Sequence, residues 1–173
     1  MITGFDPLDQ ARADAAAVRY AQARDAGASI GRIQIDWSEL ETARGVYDAQ
    51  ALAEAFADPG LQGMSVFVLV STLDSDGLTV PDYLGDEDGL RDGLTFASPE
   101  VIDAFAGFLD WLGPELLRRD VWALSIGNEI DAPIEDGLAD ETAAIAFYDA
   151  AFARWNANVP QIAATVTLTF GAA

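Results

Sequence analysis

Val66-Phe67-Val68-Leu69-Val70 is an unbroken apolar, largely β-branched run set between Ser65 and Ser71. A strand facing water on one side would alternate polar and apolar residues. A continuous run of this kind is the pattern of a parallel strand covered on both faces. Parallel neighbours cannot be joined by tight turns, so the chain around such a strand must supply long crossovers, usually helices. That requirement organises the rest of the sequence.

The crossovers are present. The Ala-rich stretch from Asp9 to Asp25 has helix-forming composition and stops at Ala26-Gly27. In Ile30 to Trp37, Ile33, Ile35 and Trp37 alternate with Arg32, Gln34 and Asp36, the period of a strand with two unlike faces. Asp48 is placed to cap a helix over 49–57, and Asp58-Pro59-Gly60 ends it. Ser98-Pro99-Glu100 starts a helix running to about Leu112, with Ser98 at the cap and Pro99 at the first helical position. Val121 to Gly127 reads as a strand, 140–156 as a helix, and Ala163 to Phe170 as a final strand. With a short apolar start at Ile2 to Phe5, this makes five strands separated by four helical segments, an α/β chain of parallel βαβ units. The order fits either a barrel or a doubly wound sheet. No Gly-rich phosphate fingerprint follows any strand, which weighs against nucleotide binding. The segment from Thr72 to Ala97 reads as one long loop.

Composition narrows the chemistry. Among 173 residues there are 29 acidic and 9 basic side chains, for a net charge of −20, and every basic residue is arginine. Such a surface repels phosphate backbones and anionic lipid, so neither nucleic acid nor a membrane surface is an expected partner. Cys and His are absent, which excludes thiol nucleophiles, disulfides, Ser-His-Asp triads and the common zinc sites. Carboxylates remain as acid/base groups. Asp74, Asp76, Asp86, Glu87 and Asp88 in the long loop lack calcium-loop spacing and read as a solvated acidic face. No metal or cofactor is expected. The first residues show neither a basic nor an apolar leader segment, so no export signal is expected in them.

The run Ser125-Ile126-Gly127-Asn128-Glu129-Ile130-Asp131 puts a carboxyl group where an apolar strand ends, the place where α/β barrels build active sites. Counting back by two along that strand groups Glu129 with Gly127, Ser125 and Ala123, and puts Trp122 on the other face, under a helix. Arg32 precedes Trp37-Ser38-Glu39-Leu40-Glu41, and Gly45-Val46-Tyr47-Asp48 follows. Together these segments resemble the retaining (β/α)8-barrel clan of glycoside hydrolases. With Gly4-Phe5-Asp6-Pro7 and Pro81-Asp82-Tyr83-Leu84, the nearest likeness is to secreted arabinogalactan endo-β-1,4-galactanases.

The resemblance implies a partial TIM (β/α)8 barrel of about five βα units, with residues 1–173 as a single incomplete barrel domain. It implies Glu129 as acid/base, its carboxyl facing the barrel mouth with a raised pKa, and Asn128 holding a substrate hydroxyl or orienting that carboxylate. Trp37 is implied as a sugar-stacking residue, against the alternative of a core indole. Arg32 would accompany the catalytic carboxylates, and Asp131 would hold the Glu129 loop or bind sugar. Retaining hydrolysis also needs a nucleophilic carboxylate about 5–5.5 Å from the acid. In the clan that residue ends the seventh strand, which has no counterpart here. The implied function is a fragment or partner-dependent half of a hydrolase of β-linked polysaccharide, with carbohydrate as ligand and a second chain completing the barrel. The other reading is a non-catalytic carbohydrate-binding or structural α/β domain.

Overall fold

The protein is described by a computed structural model covering residues 18–75 and 77–169. The expected strand at Ile2 to Phe5 and the start of the first helix lie outside these residues. Helix α1 covers 18–25. The parallel strands are β1 (Ile30–Asp36), β4 (Ser65–Ser71), β9 (Val121–Ser125) and β10 (Ala163–Thr165), in the spatial order β1-β4-β9-β10. Each strand therefore pairs with the next parallel strand in the chain. A doubly wound sheet needs a point where strand order reverses, and the described strands contain none. Sequential order is the order of a barrel wall.

Between the strands run α2 (Trp37–Leu40), the β2–β3 hairpin (Glu41–Ala43, Val46–Tyr47), α3 (Ala49–Phe56), α4 (Pro99–Leu116), α5 (Asp131–Glu135) and α6 (Glu141–Asn158). The sheet faces differ as the alternation requires. Ile33, Ile35, Val66, Val68, Val70 and Leu124 point outward and are buried with Leu52 of α3, Phe105, Phe108 and Leu112 of α4, and Phe147 and Trp155 of α6. The opposite face carries Arg32, Gln34 and Asp36 in register with Phe67, Leu69 and Ser71, and Phe67 and Leu69 in turn with Ala123 and Ser125.

Several local signals act as read. Asp48 accepts hydrogen bonds from the N–H groups of Gln50 and Ala51, both at 2.9 Å, and so starts α3. Asp140 does the same for α6 through Ala143, at 2.9 Å. Ser98 does not cap. Its hydroxyl accepts the Thr95 N–H at 2.8 Å, and Pro99 alone opens α4, which runs past Leu112 to Leu116.

Three expectations change. The segment 72–97 is not one loop: it forms the hairpins β5–β6 (Leu73–Asp74, Gly77–Leu78) and β7–β8 (Gly85–Asp86, Gly89–Leu90). Their strands are two residues long, too short to show a period. The last strand ends at Thr165 rather than Phe170, although the segment beyond it stays bonded to the one after β9, with Thr167 N–H on Gly127 O at 3.3 Å. Trp122 does not pack under a helix. Val66 pairs with Val121 and Phe67 with Ala123, so Trp122 is the extra residue of a bulge. It is 58% exposed and meets Phe67 edge-on, 6.0 Å between centroids.

Candidate active site

At the carboxyl ends of the four parallel strands, polar side chains from β1 and β4 and from the segments that follow β4, β9 and β10 join a single hydrogen-bonded cluster. Its hub is Asp74, 7% exposed, on the short strand that follows β4. Asp74 Oδ2 accepts from Gln34 Nε2 at 2.9 Å and from Ser71 Oγ at 2.9 Å, and Oδ1 accepts from Ser75 Oγ at 3.1 Å. Asn128 Nδ2 lies 3.1 Å from both carboxylate oxygens. The other end of that amide, Oδ1, accepts from Thr167 Oγ1 at 3.0 Å. Asn128 is thus clamped between β5 and the segment after β10, and its own N–H bonds Leu73 O at 3.1 Å.

Gly127 precedes it because nothing larger fits. A Cβ there would stand 2.5 Å from Ile130 Cγ2 and 2.6 Å from the Tyr148 hydroxyl. That hydroxyl is itself committed to Thr72 Oγ1 at 2.8 Å. Glu129 then takes a left-handed backbone conformation, φ 48°. In a non-glycine residue this costs on the order of 1 kcal/mol, and it persists where surrounding contacts over-determine it. Here its N–H donates to Thr167 Oγ1 at 3.3 Å, and Ile130 N–H bonds Thr167 O at 3.3 Å. The strand alternation that grouped Glu129 with Ser125 stops at Ser125, so the position of Glu129 is set by this turn. Its side chain is partly buried and makes no hydrogen bond among the described residues.

Trp37 is not available to a sugar. It is fully buried, its indole meets Phe105 at 4.8 Å and Phe108 at 6.1 Å between centroids, and Nε1–H donates to Glu41 Oε2 at 2.8 Å. It is the core indole, on the outward face of the wall. Glu41, 1% exposed, also takes the Gly45 N–H and the Tyr83 hydroxyl, each at 2.8 Å, and so fixes the β2–β3 loop. Arg32 is exposed on the inner face and donates to Gln34 Oε1 at 2.5 Å, which links it to Asp74 through one amide. Asp131 binds Thr169 with both oxygens, to its N–H at 2.8 Å and to its hydroxyl, and these bonds hold its carboxyl below the usual range. It fastens the Glu129 turn to the segment that follows β10.

A cleft of about 590 Å³ adjoins this cluster and is lined by Gln34, Asp36, Asp74, Thr79, Asp82 and Glu87 among others. Gln34 and Asp74 form the wall it shares with the Asn128 cluster; Glu129 does not line it. Asp36 titrates above its ordinary value, mainly because burial disfavours the charge, with the neighbouring charges of Glu39 and Asp74 adding to that and Ser71 opposing it. Gln34, Ser71 and Thr167 carry no signal of their own in the sequence, and Asp74, expected on a solvated acidic face, is instead buried. The period-two face carrying Arg32, Gln34 and Asp36 was the signal for Gln34, whereas Asp74 is indistinguishable in sequence from the acidic residues that follow it.

No protein-family model and no curated protein matches this sequence. Solved structures do. GH5_18 from Bifidobacterium longum subsp. longum superposes with a TM-score of 0.62 at 19% identity, over 82% of this chain and 35% of that one. An exo-β-1,4-mannosidase from Opitutaceae bacterium strain TAV5 superposes with a TM-score of 0.68 at 18% identity, over 88% of this chain and 28% of that one. At these identities the likeness is one of fold: the chain is a partial (β/α)8 barrel. It spans only a minor part of each of those structures.

Proposed function

We propose that this chain is a fragment, or a partner-dependent half, of a glycoside hydrolase acting on β-linked polysaccharide. Glu129 is its acid/base group, and the nucleophile comes from residues outside these 173. One observation carries this reading: the Asn128-Glu129 pair sits at the carboxyl end of a barrel wall, with Asn128 locked between neighbouring strand ends and Glu129 left without a structural partner among the described residues. A carboxyl group so placed can give a proton to a departing sugar oxygen and take one from water in the second step. Asn128, held by Asp74 and Thr167, serves to fix the position of that carboxyl. Arg32 and Gln34 line the same inner face, where a sugar hydroxyl can reach them. The sequence resemblance to galactanases and the fold likeness to a mannosidase make β-1,4-galactan and β-1,4-mannan the substrates to try.

The test uses the isolated chain. Reducing-end assays on both polysaccharides are expected to show no turnover. Titration with β-1,4-linked galacto- and manno-oligosaccharides is expected to shift the NMR resonances of Asn128, Glu129 and Gln34. Shifts confined to other surfaces, or hydrolysis that survives Glu129→Gln, would overturn the assignment. Sugar binding unchanged by Glu129→Gln and centred elsewhere would favour a binding module instead.

A further inference from the structure

We infer that Asp74 is a positioning residue, which sets the orientation of the Asn128 amide and through it the backbone of Glu129. The inference rests on the proposed role of Glu129 only for its chemical consequence; the tether itself is a matter of geometry.

An Asn side chain has two nearly isosteric ends, and its neighbours decide which end faces where. Here they leave no choice. A carboxylate that only accepts lies 3.1 Å from Nδ2 through each of its oxygens, so the NH2 end must face Asp74. A hydroxyl that can donate lies 3.0 Å from Oδ1, on the Thr167 side. Thr167 Oγ1 also lies 3.2 Å from Gly127 O, a second acceptor for its one proton; with that proton on Asn128, the nearer acceptor, only the Glu129 N–H at 3.3 Å draws on its lone pairs. The chain of dependence runs from the carboxylate to the amide, to the hydroxyl, to the backbone N–H of the acid/base residue. Reversing the amide would point Nδ2 at Thr167, send the hydroxyl proton to Gly127 O, 3.2 Å away, and make Oγ1 accept from Nδ2 and the Glu129 N–H together. Gln34 and Ser71, both 2.9 Å from Oδ2, hold the Asp74 carboxylate from the opposite side. Asp74 is therefore fixed by two strands and dictates polarity to a third.

Asp74→Asn is nearly isosteric and keeps the volume, but it presents an NH2 as well as an oxygen, so the Asn128 amide loses its enforced direction. The measurement is hydrogen exchange by NMR on the full chain, expressed as protection factors, with the Leu52 amide on α3 as a distant reference. Asp74→Asn is expected to lower protection of the Glu129 amide and the Asn128 side-chain NH2 at least about tenfold while leaving Leu52 unchanged. Unchanged protection at Glu129 in a folded Asp74→Asn chain overturns the inference. If that variant does not fold, Asn128→Asp decides. It sets a second carboxylate against Asp74, so Glu129 protection is expected at about pH 4, where the pair shares a proton, and is lost by about pH 8, where both ionise. Protection independent of pH in that variant overturns the inference equally. None of these readouts involves sugar, so the tether and the glycosidase reading can fail separately.

Discussion

Replacing Glu41 by Gln tests whether one buried carboxylate holds the segment after β1. The three bonds to Glu41 divide unevenly: Oε1 takes the Gly45 N–H and the Tyr83 hydroxyl, Oε2 takes the Trp37 indole N–H, each at 2.8 Å. Glutamine keeps one oxygen. Its best orientation satisfies Gly45 and Tyr83 and turns its NH2 toward the Trp37 N–H. Bonds to an ionised acceptor contribute about 1.5–3 kcal/mol each, against about 0.5–1.5 kcal/mol for neutral pairs, so the two retained bonds weaken by about 2 kcal/mol together. The indole N–H, buried in a fully enclosed side chain, loses its acceptor, which costs a further ~1–3 kcal/mol. Those figures are already net of desolvation, so the expected loss is about 3–5 kcal/mol. Tyr83→Phe removes one bond only and is expected to cost about 1.5–3 kcal/mol. Urea unfolding followed by far-UV circular dichroism measures both, with an unchanged slope as the sign that the end states are the same. A Glu41→Gln loss under about 1 kcal/mol, or one smaller than that of Tyr83→Phe, refutes the reasoning.

Two further variants address the turn and the cleft. Gly127→Ala forces a methyl against Ile130 and the Tyr148 hydroxyl and is expected to cost about 1–3 kcal/mol by thermal or urea melts. Adding Tyr148→Phe should recover part of that loss; a neutral Gly127→Ala would deny the close approach. Asp36 concerns pH. Its folded-state pKa lies above the ordinary 3.8, so the fold favours the protonated form and its ionisation destabilises progressively as pH rises through that range. Asp36→Asn is expected to raise the melting temperature at about pH 7 and to have little effect at about pH 3. An equal gain at both pH values contradicts that sign.

The barrel wall was legible because each of its strands carries its own signature. The apolar run at Ser65–Ser71 and the alternation at Ile30–Asp36 are both properties of contiguous residues. What escaped depends on partners distant in sequence. The hairpins of 72–97 have strands too short for any period, and Asp74 becomes a hub only because Gln34 and Asn128, 40 and 54 residues away, reach it. Trp122 was misplaced by a rule that holds only for an unbulged strand. Trp37 lies within a motif that implies contact with sugar, yet it belongs to the outward face that its alternation with Ile33 and Ile35 already indicated.

The bulge beside Phe67 gives the molecule a built-in optical gauge. Of the four tryptophans, Trp37 and Trp155 are enclosed and Trp111 is partly covered by its stack on Tyr47, so the long-wavelength emission belongs chiefly to Trp122. Anything that comes to lie over Phe67 and Trp122 dehydrates that indole. A shift of its fluorescence toward the blue would therefore register cover over this part of the sheet, beside Phe67 and Ala123, without any label.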